Sequence, residues 1–286
     1  MRALTVPNWS FGRDRDLLRR FAESLDAHDV RVHFCASDLD HNRTVTAFSG
    51  AFDDLANAIR DLADLAFDRI DLTRHTGVHP RIGGLDVCPF VAFDPDDEPH
   101  LIQRVENFAA AFADRFAIPV YLYERSERGR HEADLPSLRR GGFGALAGKA
   151  LTPDFGPSRA HPHLGVTVMG VRGFLIAMNV NLQGEHLSFA RETARQIRRL
   201  RGEGDLRFLG VRALGLPLPS VGKTQISMNV TLPDLTPVDP ILAWVRNRAL
   251  DHEVSVAENE LIGVIRERDL PAATRLRIDP RQVVAL

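Results

Sequence analysis

The apolar residues of this chain change spacing several times, and the order of those changes limits the folds open to it. "RALTV", "VRVHFC" and "RTVTAFSG" alternate as strands do, with a polar turn "ASDLDHN" between the last two. "DRDLLRRFAESLDAH" and "AFDDLANAIRDLADLAF" carry apolar residues at helical spacing. "LDVCPFVAF" reads as a buried strand, followed by a helix "EPHLIQRVENFAAAFADRF" and a buried strand "IPVYLYE". The order is β-α-β-β-α-β-α-β, and its first six elements match the split β-α-β, or ferredoxin-like, arrangement.

From about 124 to 162 the chain turns rich in Arg, Gly and Pro, which predicts a long functional or connecting segment. Strand and helix patterns then resume with "LGVTVMGV", "FLIAMNVNL", "LSFARETARQIRRLRG", "LRFLGVRALGL", "KTQISMNVTL" and "PVDPILAWVRNRALD". The predicted architecture is therefore α+β. It has two ferredoxin-like subdomains, 1–162 and 163–286, built from mixed sheets with helices on one face and a cleft or tunnel between them.

A formal net charge of -2, from 36 basic and 38 acidic residues, argues against a nucleic-acid partner. Local arginines can still serve a small anion. No window approaches the ~20 apolar residues of a membrane span, and "MRALTVPNWS" has no apolar signal core. A cytoplasmic protein with no membrane partner is expected. Cys35 and Cys88 lie in apolar runs and read as core thiols, with no zinc spacing.

Three motifs fail on inspection. "SVGKT" at 220–224 lacks a correctly spaced glycine and is followed by a strand pattern, so it is not a phosphate-binding loop. "GFGALA" at 142–147 has no preceding strand. His75 and His79 would share a face only on a helix, which Gly77 and Pro80 oppose; no metal is expected.

What remains is a set of polar residues at strand ends and within apolar strands, each of which must find a partner or cost about 1–3 kcal/mol. Asn8, Arg13, Asp38 to Arg43, His79 and Arg81 fall at ends and turns, and Asp86, Asn179, Asn181, Gln225 and Asn229 within strands. Each is structural glue or a ligand contact.

"VPNWSFGRD", "DHNRTVTAF", "HTGVHPRIGGLDVCPF", "PVYLYE", "PDFGP", "GVRGFLIAMNVNL" and "QISMNVTL" occur in an order that resembles the glutamate formiminotransferases, across nearly the whole chain. The resemblance implies a homodimer of two-subdomain chains with a folate tunnel. It also implies transfer of a formimino group from N-formimino-L-glutamate to N5 of tetrahydrofolate, the co-substrate, in histidine degradation. The catalytic histidine falls on His79, and His75 is read as a supporting residue. Arg43 and Arg81 are the natural forks for substrate carboxylates, with Asp38, Asp40, Asn8 and Asn42 as further substrate contacts. Gly165, Asn179, Asn181, Gln225 and Asn229 are the expected folate contacts. The chemistry needs a group that takes a proton from N5 and returns one to the glutamate nitrogen, and a histidine titrating near neutrality suits both roles.

Four positions that are acidic in the resembled family hold Phe11, Ala36, Gly142 and Gly144. Three readings follow: formimino transfer with Asp38 or Asp40 as substitutes, formyl transfer from an uncharged donor such as N-formylglutamate, or a folate-binding paralogue without turnover.

Overall fold

Pro7 has no amide proton, and the first strand breaks there into β1 (Arg2–Thr5) and β2 (Asn8–Trp9). Helix α1 (Arg15–Asp26) follows, capped by the Asp14 carboxylate, which accepts from Leu17 N at 2.9 Å. Then come β3 (Val30–Asp38) and β4 (Arg43–Ala51), α2 (Phe52–Phe67), β5 (Leu85–Ala92), α3 (Glu98–Phe116) and β6 (Val120–Leu122). The short helix α4 (Leu135–Leu138) and β7 (Thr167–Val171) complete this part of the chain. The computed structural model describes residues 1–286 and divides them into two compact units, Met1–Arg172 and Gly173–Leu286.

In the first unit β1 and β2 both lie between β4 and β5, antiparallel to each. β3 pairs antiparallel with β4 at one edge, and β5, β7 and β6 continue in parallel at the other. Leu17, Phe21 and Leu25 of α1 share one core with Leu55, Ile59 and Leu62 of α2 and with Phe108 and Phe112 of α3. Phe48, Cys88, Phe90 and Met169 meet them from the sheet. The reverse side of β5 and β7, through Val87 and Val168, is covered by Leu135, Leu138, Leu146 and Leu151. The Arg/Gly/Pro-rich segment is thus a packed layer over part of the sheet.

The division between units falls after Arg172, not at 162/163 as the spacing suggested. The cause is β7: read from sequence as the start of the second half, it pairs with β5 and β6 of the first. Adjacency in sequence could not reveal that partner choice, because a parallel pairing needs no local turn.

The second unit runs β8 (Ile176–Gln183), α5 (Leu187–Gly202), β9 (Val211–Leu218), β10 (Lys223–Val230), α6 (Val238–Asp251) and β11 (Val256–Ile262). Its sheet is antiparallel in the order β11-β8-β10-β9. Ile176, Met178, Val180 and Leu182 alternate with Asn179 and Asn181 along β8, so one face is apolar and the other carries amides. β11 is absent from the sequence reading, because "VAENELI" alternates too weakly to mark a strand. A small parallel pair, β12 (Ile265–Arg266) and β13 (Val283–Val284), fixes the tail. "SVGKT" spans a turn and the start of β10, with Gly222 at φ +60°.

No helix is long and apolar enough to cross a membrane.

Candidate functional site

Asp38 ends β3 and Arg43 begins β4, and the two face each other in the hairpin register. The turn between them depends on Asn42, whose φ of +46° is a left-handed conformation that asparagine tolerates. Its Oδ1 accepts from Gly12 N at 2.8 Å and its Nδ2 donates to Thr76 O at 3.0 Å. One side chain thereby ties the turn to the segment after β2 and to the loop before β5. Asp38 Oδ1 accepts from His41 N at 2.6 Å, and the Asp40 carbonyl accepts from Val78 N at 3.0 Å.

Arg81 locks the loop from the other side. Its Nη2 donates to the carbonyls of His41 (2.5 Å) and His79 (2.9 Å), and its Nη1 to that of Asn42 (2.9 Å). Nη1 also lies 2.5 Å from His75 Nε2, which accepts from it. The fork expected to hold a substrate carboxylate is thus occupied by main-chain oxygens. A Cβ at Gly77 would collide with Arg81 Nη2 and the His41 carbonyl, so this close packing requires glycine there. His75 is bound within the loop.

His79 is half-buried between these pieces. Its Nδ1 donates to Pro80 O at 2.9 Å, which leaves Nε2 as the lone-pair nitrogen, and Arg43 Nη1 donates to it at 3.1 Å. Desolvation, then the charges of Arg43 and Arg139, hold the His79 pKa well below the usual histidine value. His79 is therefore a neutral imidazole at pH 7. Burial, reinforced by Arg139, lowers Arg43 to about 10, still charged near neutrality.

Arg139, just after α4, and His41 complete the cluster; His41 lies within the polar run Asp38 to Arg43 marked from sequence, whereas Arg139 was not singled out. Phe143 N donates to Arg81 O at 2.9 Å, which docks the 139–146 segment onto the loop. Arg139 Nη2 then reaches Asp86 Oδ2 at 2.5 Å, in a pair with side chains 12% and 3% exposed. Asp86 Oδ1 accepts from Ile82 N (2.8 Å) and Gly83 N (3.2 Å), so this carboxylate shapes the loop. His41 is only 2% exposed, and its ring centroid lies 5.7 Å from that of His79. A sequence signal existed for Arg139, an arginine ahead of a glycine-rich turn, but nothing local announced its partner.

Other expected residues serve elsewhere. Asn8 Nδ2 donates to Val6 O at 3.0 Å, and Gly165, at φ +68°, forms a bridge with Gly83 where a Cβ would meet Ile82 O. In the second unit Gln225 Nε2 donates to Asn181 Oδ1 (2.9 Å), Asn181 Nδ2 to Glu258 (3.2 Å) and Asn179 Nδ2 to Glu260 (3.3 Å). Gln225 Oε1 is buried with no partner. Asn229, expected within an apolar strand, is exposed.

The sequence of residues 2–172 matches the N-terminal subdomain of the formiminotransferase domain, and that of 177–285 matches the formiminotransferase domain model that follows it. The chain belongs to the formiminotransferase family. It is 33% identical to a glutamate formimidoyltransferase of Thermoplasma acidophilum, over 93% of this chain and 88% of that one. A glutamate formimidoyltransferase of Streptococcus pyogenes serotype M1 is 31% identical, with coverage of 91% and 87%. The formimidoyltransferase-cyclodeaminase of Sus scrofa is also 31% identical, and this chain spans 49% of its length.

Among the positions where this formiminotransferase-family chain lacks an acid, Phe11 is buried edge-on against Phe21, with centroids 4.9 Å apart. Gly142 sits at φ +65°, Gly144 lies in the turn that docks on Arg81, and Ala36 pairs with Val45 in the hairpin.

Proposed function

We propose that this protein is a glutamate formimidoyltransferase, moving the formimino group of N-formimino-L-glutamate to N5 of tetrahydrofolate. The observation that carries the reading, within this family, is the neutral His79 whose Nε2 lone pair is presented beside Arg43.

The N5 lone pair attacks the amidine carbon, and the N5 proton passes to His79 Nε2 as the bond forms. The tetrahedral intermediate then expels glutamate: the carbon–nitrogen bond breaks, its electron pair stays on the glutamate nitrogen, and a proton returns there. Arg43, released from His79, is the fork for a donor carboxylate, while Arg81 braces the loop. Asp38, Asp40 and Asn42 belong to the donor side of the site, through the turn they build, and Asn8 on β2 is assigned to the donor with them. Gly165, Asn179, Asn181, Gln225 and Asn229 are assigned to folate; the unpartnered Gln225 Oε1 suits a donor on the pterin. We read each unit as ferredoxin-like, and the working enzyme as a cytoplasmic homodimer.

A second reading, formyl transfer from N-formylglutamate, is favoured by one observation: the charges beside His79 are guanidiniums. An uncharged formamide tolerates them better than an amidinium does.

The test is to mix purified protein with tetrahydrofolate and each donor and follow the N5 adduct by absorbance. Turnover with formiminoglutamate supports the first reading, and turnover with formylglutamate alone supports the second. Calorimetric folate binding without turnover on either donor would leave a binding protein.

A further inference from the structure

His79 has both ring nitrogens engaged, Nδ1 by Pro80 O and Nε2 by Arg43. Once it takes the N5 proton it becomes a cation beside Arg43 and Arg139. Its neighbour His41 is 2% exposed, and its Nε2 is buried without a hydrogen-bond partner. The His41 Nδ1 lies 4.0 Å from Asp38 Oδ1. Burial and then Arg43 lower the His41 pKa, the Asp38 and Asp40 carboxylates oppose them, and Arg81 adds a smaller lowering. His41 is thus the imidazole of the pair that has carboxylates among the charges acting on it, where His79 has guanidiniums.

We infer that His41 is the proton-holding partner of His79, parking the N5 proton on the carboxylate side of the site until the leaving amine needs it. The inference rests on the formimidoyltransferase reading. The balance is simple: N5 gives its proton to His79, and the His79 imidazolium passes one proton to His41 Nε2. A centroid separation of 5.7 Å allows a direct contact or one bridging water. As the carbon–nitrogen bond breaks, the proton returns through His79 to the glutamate nitrogen, and both rings end neutral. His41 acts through His79 and is a positioning residue in that sense.

The test is His41→Gln in the full chain, assayed with formimino donors whose leaving amines differ in basicity. The wild type is assayed first, and its failure to turn over would overturn the transferase reading and this inference with it. With an active wild type, His41→Gln should lower kcat at least tenfold with KM little changed. The deficit should shrink as the leaving amine becomes less basic. Unchanged kcat, or a deficit equal for every donor, would overturn the inference. If His41→Gln does not fold, Asp38→Asn gives the same readout: a smaller but still leaving-group-dependent deficit supports the relay, and a uniform one overturns it.

Discussion

Arg43 donates through Nη1 to Nε2 of His79 across 3.1 Å, so the nitrogen a base must use is the one held by a guanidinium. The contact keeps the imidazole neutral and aimed, and must open before the ring can accept a proton.

His79→Ala should therefore reduce turnover by about 100-fold or more, on the scale of general-base loss. Arg43→Met removes a charge that disfavours protonation, so the His79 pKa rises. The acid limb of the kcat/KM profile, which reports the free enzyme, should then move to higher pH than in the wild type, where it lies below 6.5. An acid limb that stays in place would separate Arg43 from the tuning of His79.

Three buried or half-buried histidines resist protonation in the folded state. Burial and Arg81 bring His75 to about 4 from its usual 6.5, and desolvation lowers His41 and His79 in the same direction. Between the two values the unfolded chain binds more protons, so stability is lost as pH falls from 6.5 toward 4 and is retained above. Urea midpoints measured across that window should decline, and His75→Gln should flatten the decline.

Asp86 and Arg139 form a buried pair, and removing one partner strands the other. Asp86→Asn should cost about 3 kcal/mol in urea unfolding, since it also weakens the acceptor for Ile82 N and Gly83 N. It should also loosen the 139–146 segment, seen as faster amide exchange at Phe143.

Gln225 Oε1 is buried without a partner, so little stability depends on it. Gln225→Met should change the unfolding free energy by about 1 kcal/mol or less, the hydrogen bond to Asn181 being the main loss. Folate affinity by calorimetry should fall about tenfold, the cost of one missing partner for a buried donor. An unchanged affinity would remove Gln225 from the folate contacts.

Much of the fold was legible along the chain, because strands and helices write their burial as periods of two and 3.6. α1, α2, α3, α5 and α6 lie where the apolar spacing placed them. The exceptions share a cause. β7 was assigned to the wrong half, and the 124–162 segment reads in sequence as a functional or connecting stretch without a packing partner, because each is defined by a partner distant in sequence.

The site divides the same way. Sequence by itself determined that His79, Arg43 and Asn42 stand in two short polar runs, since residue type and turn chemistry are local properties. Tertiary structure alone decided what each does with its hydrogen bonds. It turned Arg81 from a free fork into a brace, brought Arg139 to Asp86, and set His41 beside His79. Those outcomes depend on which carbonyls and charges are brought within about 3 Å after the chain folds, and no local pattern encodes that distance.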